Sequence, residues 1–292
     1  MIHFFRWKLD TAAVVRFEYL TMAFTIVLTD LDGTLLDHES YSWEAARPAL
    51  DRLRAEHIPC IFVSSKTRAE VESLRRATSN THPYIVENGG ALVIPNDYFR
   101  DCVPGNVMRA GAPTVEWGSR YAIVVDALRQ AAASSGCNVR GFHDMSVTEV
   151  ARECAISEHD AELAKTREYD EPFLILNPDR AEALREAIDA QGLGWTSGGR
   201  FRHITGANDK GKAVRLLVQQ YEQAYGDVFS MGLGDSLNDI PLLQCVSLPY
   251  VMPTARAAEI QLVVPRAQIA QAPGPAGWNS TVLSLLSRLS RE

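Results

Sequence analysis

The chain has 292 residues, of which 46% are hydrophobic and 22% are charged. This length and composition suit a globular protein of one large or two ordinary domains with a sizeable core. The formal net charge of −7 makes the chain a poor general binder of nucleic acid or of anionic membranes, although local positive sites can still hold an anionic substrate. No apolar run approaches the ~20 residues that a membrane span needs.

The cysteines and the first residues indicate the cellular compartment. The five cysteines form no CxxC pair and their number is odd, so a reduced protein is the simplest interpretation. Lys8 and Asp10 interrupt any apolar core of a signal peptide. We therefore expect a cytoplasmic protein in which residues 1–21 are an extension without a catalytic role. Met22 is a possible alternative start, and a short helix docked on the surface is the other interpretation of the extension.

The most informative stretch covers residues 24–36, where an apolar run ends in the sequence DLDGT. The run predicts a buried strand, and the carboxyl end of such a strand is where open α/β sheets bind ligands. Gly33 permits a sharp turn there. Asp30 and Asp32 are close enough to share a metal ion or a phosphate. One carboxylate can attack phosphorus and the other can transfer protons, whereas an acidic turn without function is the alternative.

A second apolar run, residues 58–63, predicts another buried strand, and Ser64 follows it directly. Ser64 therefore occupies the same kind of position as the acidic pair of the first strand. Thr67 and Glu70 have the spacing of a capping box for the next helix, which leaves the Ser64 hydroxyl free to bind a phosphoryl oxygen. Lys66 is a further candidate contact for an anion.

The last third of the chain carries a lysine pair and another acidic motif. The sequence DKGK, residues 209–212, precedes a helical run over residues 213–223. Lysines in the first turn of a helix are electrostatically unfavourable, and an anionic ligand removes that conflict. Lys210 is the better candidate and Lys212 is the rival. After another apolar run comes the sequence GDSLND, which contains Asp235, and helix capping does not explain this residue. Further along the chain, residues 260–264 predict one more strand.

The middle of the chain has a different pattern of predicted secondary structure. Residues 84–86 predict a short strand, and the turn ENGG after it contains Asn88, a candidate substrate contact. From there, helical stretches alternate with short strands, as in a small α+β domain. We therefore predict a core made of residues 22–90 and 198–292, with a cap domain inserted at residues 91–197.

These motifs, in their order along the chain, resemble the four motifs of the haloacid dehalogenase superfamily. The resemblance implies an α/β fold with a doubly wound, mostly parallel, Rossmann-like core, and ENGG resembles the branch whose smaller α+β cap is inserted at that point. It also implies a magnesium-dependent phosphatase. Asp30 is then the nucleophile and Asp32 the general acid and base. Mg²⁺ binds Asp30, Asp235 and the backbone carbonyl of Asp32, while Ser64 and Lys210 hold the phosphoryl group.

More narrowly, the stretches SSKTRAE, ENGG, REYDEPF, GGRFRH, DKGKAV and PGPAGW resemble the family of mannosyl-3-phosphoglycerate phosphatases over most of the chain after Met22. That resemblance implies hydrolysis of mannosyl-3-phosphoglycerate to mannosylglycerate, a compatible solute, and makes a small sugar phosphate the expected partner. Arg167 in the REYDEPF stretch is the candidate for gripping the glycerate carboxylate, because a guanidinium can bind a carboxylate through two parallel hydrogen bonds.

Three alternatives stay open. A related phosphatase could prefer glucosyl-3-phosphoglycerate or sucrose 6-phosphate, since the core chemistry is shared. A phosphomutase uses the same acidic pair, and release of inorganic phosphate distinguishes a phosphatase from it. A non-catalytic sugar-phosphate sensor is the third, and the presence of both Asp30 and Asp32 argues against it. The sequence makes no prediction of the oligomeric state.

Overall fold

The computed structural model describes residues 23–101, 103–198 and 200–289, and the predicted extension at residues 1–21 lies outside this part. The strands there are β1 (Phe24–Thr29), β2 (Cys60–Val63), β3 (Tyr84–Val86), β4 (Ala91–Val93), β5 (Asn106–Arg109), β6 (Ala112–Glu116), β7 (Val139–Gly141), β8 (Asp170–Ile175), β9 (Gly194–Gly198), β10 (Phe201–Thr205), β11 (Val228–Gly234), β12 (Leu248–Val251) and β13 (Gln268–Ile269). The helices there are α1 (Arg47–Ala55), α2 (Arg68–Ala77), α3 (Tyr121–Ser135), α4 (Val147–Cys154), α5 (Glu158–Ala164), α6 (Ala181–Asp189), α7 (Lys210–Tyr225), α8 (Ile240–Cys245), α9 (Ala257–Val263) and α10 (Gly274–Leu289). None of these helices is long and apolar enough to cross a membrane.

Nine of these strands form the larger sheet, in the order β13-β12-β11-β1-β2-β3-β4-β6-β5. Neighbouring strands are parallel from β13 to β3, whereas β4, β6 and β5 add to one edge in antiparallel pairs. β1 lies in the parallel part, with Thr29 opposite Leu233 of β11 and Phe62 of β2. A strand covered on both faces needs an unbroken apolar sequence, and residues 26–28 are fully buried.

Helices cover both faces of this sheet. On one face, Leu53 of α1 and Trp278 of α10 belong to the same apolar cluster as Val27 of β1. On the other face, Leu217 of α7 packs in a cluster with Leu28. Successive residues of β1 therefore point into opposite apolar layers. The prediction of a doubly wound, mostly parallel core is confirmed.

The second sheet has the order β7-β8-β10-β9, and all neighbouring strands in it are antiparallel. One apolar cluster joins it to α3 and α6 and contains Val124, Leu184, Phe173 and Ile204. In the chain this unit lies between β6 and α7. The prediction of a smaller α+β domain inserted into the core is confirmed, and this unit is called the cap below.

The strand pairing moves both predicted boundaries of the cap. β4 pairs with β3 and β6 pairs with β4, so residues 91–116 extend the core sheet instead of beginning the cap. At the other end β10 pairs with β8, so the cap sheet continues through residue 205 and beyond the predicted limit at residue 197. The sequence could not show this, because an added edge hairpin of the core and a cap strand have the same local pattern. Only their hydrogen-bonding partners distinguish them.

The strand predicted at residues 260–264 is wrong, because these residues lie in α9 and directly after it. Ile260 and Val264 are buried, whereas Leu262 between them is 82% exposed. Burial at a spacing of four residues is the pattern of a helix with one apolar face. The β-branched composition of the run favoured a strand and concealed that pattern.

A buried cluster of charged side chains joins the cap to the core. Glu87, which follows β3, accepts hydrogen bonds from three successive backbone N–H groups of the cap, residues 168–170, at 2.8 to 3.0 Å. The Arg167 guanidinium pairs with the Asp170 carboxylate and donates to the carbonyl oxygen of Ser65 at 2.8 Å. Buried charges of this kind are stable only while each keeps its partners. The cluster therefore fixes the start of β8 against the core.

We expect Arg167→Ala to lower the free energy of unfolding by about 3–5 kcal/mol, because the variant leaves the Asp170 carboxylate buried without its counter-charge. Arg129→Ala is the matched control, since Arg129 pairs with Asp144 at the surface, where solvent screens the pair and its loss changes stability little. Denaturant titration of both variants measures the difference. Equal losses in the two proteins would contradict the structural role of Arg167.

Candidate active site

The acidic pair of the first motif lies directly after β1, at the carboxyl edge of the larger sheet. Asp30 is only 5% exposed. The C-terminal helix holds this strand end: Trp278 Nε1 donates to Thr29 Oγ1 at 2.9 Å, and Thr29 Oγ1 donates to the backbone carbonyl of Asp30 at 2.7 Å. The stretch PGPAGW therefore supports the turn that carries Asp30.

Gly33 brings the first motif and the GDSLND loop into contact. Its φ is +77°, and a Cβ atom placed on it would lie 2.6 Å from Asp235 Oδ2. Both the left-handed backbone and this close approach exclude a side chain. The glycine of DLDGT thus makes room for the Asp235 carboxylate.

Lys210 is the first residue of α7, and its side chain is buried between two carboxylates. Its Nζ lies 2.6 Å from Asp30 Oδ1 and 2.6 Å from Asp239 Oδ1. These carboxylates supply the negative charge that the position of a lysine at a helix start requires. The rival, Lys212, is exposed and donates to the backbone carbonyl of Ala207. Of the two lysines, Lys210 is therefore the one in the site.

Asp239 is a site residue that sequence reasoning missed. Its Oδ2 accepts the backbone N–H groups of Asp235 at 2.9 Å and of Ser236 at 3.0 Å, while its Oδ1 pairs with Lys210. The capping pair of Ser236 and Asp239 was visible in the sequence and is present. Capping uses one carboxylate oxygen only, and the spacing along the chain could not show where the other one points.

The carboxylates of Asp30, Asp235 and Asp239 place oxygens within 4.8 Å of one another. Burial and repulsion from the neighbouring carboxylates raise the pKa of Asp235 to about 9, and burial with repulsion from Asp239 raises that of Asp30 to about 7. Lys210 and the backbone already engage both oxygens of Asp239. The Asp235 carboxylate and the second oxygen of Asp30 therefore fit a divalent cation, which takes oxygen ligands and would relieve the repulsion.

Ser64 and Lys66 follow β2 at the same edge. Ser64 is buried, and its Oγ accepts the backbone N–H of Lys66 at 3.1 Å. Lys66 Nζ lies 3.1 Å from Asp32 Oδ1 and 3.3 Å from Glu70 Oε1. The predicted capping box of Thr67 and Glu70 is present at the start of α2. Lys66 therefore contacts the second aspartate of the first motif, a partner that the sequence did not predict.

Asn88 and Arg167, the other two predicted substrate contacts, are engaged by the junction of core and cap. Asn88 Nδ2 donates to Asp170 Oδ2 at 2.8 Å, and Asn88 Oδ1 accepts from Asn238 Nδ2 at 2.9 Å. Arg167 reaches the cavity wall, yet Asp170 and the Ser65 carbonyl hold its guanidinium. Both side chains thus have partners within the protein, and their contact with a substrate stays a prediction.

A cavity of about 410 Å³ separates this edge of the core from the cap. Residues of both domains line it, among them Asp30, Asp32, Tyr41, Ser65, Lys66, Asp235 and Asn238 of the core and Phe142, Arg167, Arg200, Phe201 and His203 of the cap. Three carboxyl groups, those of Asp30, Asp32 and Asp235, thus line one cavity together with the Lys66 ammonium group. Such an arrangement can carry out covalent catalysis with acid–base assistance.

Comparisons with known proteins agree with this geometry. A family model of haloacid dehalogenase-like hydrolases matches residues 27–103. Proteins of Methanococcoides burtonii and Persephonella marina, each named glucosyl-3-phosphoglycerate/mannosyl-3-phosphoglycerate phosphatase, are 40% and 36% identical to this chain. The matches cover 90% and 91% of this chain and 97% and 98% of those proteins. The mannosyl-3-phosphoglycerate phosphatase of Pyrococcus furiosus is 34% identical over 78% of this chain and 90% of its own length.

Solved structures share the fold at lower identity. A protein of Thermoplasma acidophilum aligns with a TM-score of 0.64 and 18% identity over 90% of this chain and 99% of its own. The sucrose-phosphatase of Synechocystis sp. PCC6803 aligns with a TM-score of 0.58 and 13% identity over 90% of this chain and 98% of its own. The chain therefore belongs to the haloacid dehalogenase-like hydrolases, in the same family as its relatives from Methanococcoides burtonii and Persephonella marina.

Proposed function

We propose that the protein is a Mg²⁺-dependent phosphomonoesterase that converts mannosyl-3-phosphoglycerate to mannosylglycerate through a phosphorylated Asp30. The observation that carries this proposal is the position of Asp30. It follows a central strand, its Oδ1 lies 2.6 Å from Lys210 Nζ, and it lines the same cavity as Asp32. A second carboxyl group beside the nucleophile allows attack and proton transfer to be divided between two side chains.

The two aspartates act in sequence. An oxygen of Asp30 attacks phosphorus while Asp32 gives a proton to the departing alcohol oxygen of the glycerate. Asp32 then takes a proton from the water that cleaves the aspartyl phosphate, which restores both groups. Lys66, whose Nζ is 3.1 Å from Asp32 Oδ1, balances the charge of that carboxylate between the two steps.

Lys210 and Ser64 position the reacting groups. The Lys210 ammonium orients Asp30 through Oδ1 and offsets negative charge on the phosphoryl group during transfer. Ser64 Oγ accepts the Lys66 N–H, so its own proton remains available for a phosphoryl oxygen. The cap covers the cavity and keeps bulk water from the acyl phosphate.

Asp30, Asp235 and the backbone carbonyl of Asp32 are the groups that would hold Mg²⁺. When bound there, the ion supplies positive charge between the carboxylates and the anionic phosphate. The close approach of three carboxylates, of which Lys210 pairs with only Asp30 and Asp239, supports this assignment.

The names of the relatives support the substrate. The relatives from Methanococcoides burtonii, Persephonella marina and Pyrococcus furiosus are all named as phosphatases of mannosyl-3-phosphoglycerate, and the first two are also named for the glucosyl compound. Glucosyl-3-phosphoglycerate is therefore the second candidate. The cap side of the cavity carries Arg200 beside His203, which suits an anionic leaving group better than a neutral sugar.

We expect the purified protein with Mg²⁺ to release inorganic phosphate from mannosyl-3-phosphoglycerate and glucosyl-3-phosphoglycerate with kcat/KM at least about tenfold above that for sucrose 6-phosphate, since contacts to the leaving group lower the barrier only for matching substrates. A phosphate-release assay over this panel measures it. Highest activity on sucrose 6-phosphate would contradict the proposed substrate. Isomerisation of a sugar phosphate without phosphate release would contradict the proposed hydrolysis.

We expect chelation to abolish activity and Asp235→Asn to raise the Mg²⁺ concentration for half-maximal rate by at least about tenfold, because even groups that only support metal ligands contribute that much to affinity. Asp51→Asn is the control, since Asp51 is exposed on α1 and pairs with Arg54. The measurement is phosphate release against Mg²⁺ concentration after chelation. Full activity of the chelated enzyme, or equal Mg²⁺ curves for the two variants, would refute the metal assignment.

A further inference from the structure

His203 is a cavity residue that the steps above do not use. It lies on β10 of the cap, is 6% exposed and lines the cavity beside Arg200 and Phe201. Its Nδ1 lies 3.2 Å from Asp170 Oδ2, so one edge of the ring faces the junction of core and cap. The other edge carries Nε2.

Asp170 determines which ring nitrogen is the donor. Its carboxylate pairs with Arg167 through Oδ1 and accepts Asn88 Nδ2 at 2.8 Å through Oδ2. Burial opposes the charge of this carboxylate, but Arg167 and His203 more than offset it and lower its pKa. An ionised carboxylate only accepts hydrogen bonds, so His203 Nδ1 carries the proton in their contact. Nε2 is therefore the nitrogen left for a ligand.

A glycine, Gly198, lies directly beside Nε2. A Cβ atom placed on Gly198 would lie 3.6 Å from His203 Nε2 and 3.3 Å from Asn238 Nδ2. Gly198 and Asn238 also line the cavity, and Asn238 belongs to the same GDSLND loop as Asp235. Within the described part of the chain, Nε2 makes no hydrogen bond. The ring edge thus faces the cavity close to the loop that carries a candidate metal ligand.

We propose that His203 Nε2 binds the carboxylate of the substrate's leaving group, with Asp170 as the positioning residue behind it. This inference rests on the proposed function and names the side chain that recognises the glycerate. With Nδ1 turned to Asp170, the Nε2 edge is the part of the ring that can meet a ligand, and a histidine N–H donates to a carboxylate in a charge-assisted hydrogen bond. Arg200 in the same wall adds positive charge, which favours a carboxylate over a neutral sugar hydroxyl at this place.

The test separates recognition of the carboxylate from turnover. Mannosylglycerate and its uncharged amide are used as competitive inhibitors of p-nitrophenyl phosphate hydrolysis, and their inhibition constants are compared. We expect the wild-type enzyme to bind the acid about 10- to 100-fold more tightly than the amide, as for one hydrogen bond to a charged group. An enzyme that binds both equally would overturn the proposal.

His203→Asn is the informative variant, because the Asn amide can still donate to Asp170 but has no atom at the Nε2 position. We expect it to bind the acid and the amide with similar affinity. Its kcat/KM for mannosyl-3-phosphoglycerate should fall by about 10- to 100-fold, and p-nitrophenyl phosphate turnover should stay within about twofold. A retained preference for the acid, or equal weakening of acid and amide, would overturn the proposal, since either result assigns His203 to packing or to the sugar.

Two further variants complete the test. His159→Asn changes an exposed histidine on α5 and should leave the preference for the acid unchanged. Gly198→Val adds two methyl groups to a Cβ that would lie 3.6 Å from Nε2, so it crowds Nε2 without altering His203 and should reduce the preference. If thermal denaturation shows that His203→Asn is unfolded at the assay temperature, Gly198→Val decides: a retained preference overturns the proposal.

Failure of the proposed function gives a different result, already visible in the wild-type enzyme. That enzyme would hydrolyse p-nitrophenyl phosphate but neither cleave the glycosyl-3-phosphoglycerates nor bind mannosylglycerate. A wild-type enzyme that cleaves them while His203→Asn keeps its preference for the acid contradicts only the role of His203.

Discussion

The catalytic edge depends on one buried ammonium group, that of Lys210, held between Asp30 and Asp239 at 2.6 Å from each. Burial disfavours a charged lysine, and the two carboxylates more than compensate by raising its pKa. Because a buried charge needs its partners, this contact ties together the end of β1, the start of α7 and the loop after β11. The carboxyl edge of the larger sheet therefore forms only when three distant parts of the chain supply Asp30, Lys210 and Asp239.

A second buried cluster, centred on Arg167 and Asp170, ties the cap to that edge. The two clusters are linked by Asn88, which bonds to Asp170 on one side and to Asn238 on the other. Asn238 belongs to the loop that also carries Asp235 and Asp239. One continuous set of polar contacts thus positions the cavity wall of the cap relative to the acidic loop of the core. As a result, His203 of the cap and Asp235 of the loop line the same cavity.

The sequence predicted what local pattern and order can show, and the rest depended on contacts between distant residues. The strand before Asp30, the capping box at Thr67 and the inserted α+β domain each have a signal within a short stretch. Lys66 facing Asp32, or Asp239 turning its free oxygen to Lys210, has no such signal. Likewise, the sequence around Arg167 indicates carboxylate binding in general, but it carries no signal that the buried Asp170 carboxylate pairs with this guanidinium.

The most direct test of the account is to trap the phosphorylated nucleophile. The Asp32→Asn variant keeps Asp30 but cannot activate water, so it should accumulate the acyl phosphate when mixed with p-nitrophenyl phosphate and Mg²⁺. After acid quenching, mass spectrometry of peptides should show one added phosphoryl group on Asp30, and the double variant that also carries Asp30→Asn should show none. Phosphate on another residue, or rapid turnover by the double variant, would contradict the central claim that Asp30 attacks phosphorus.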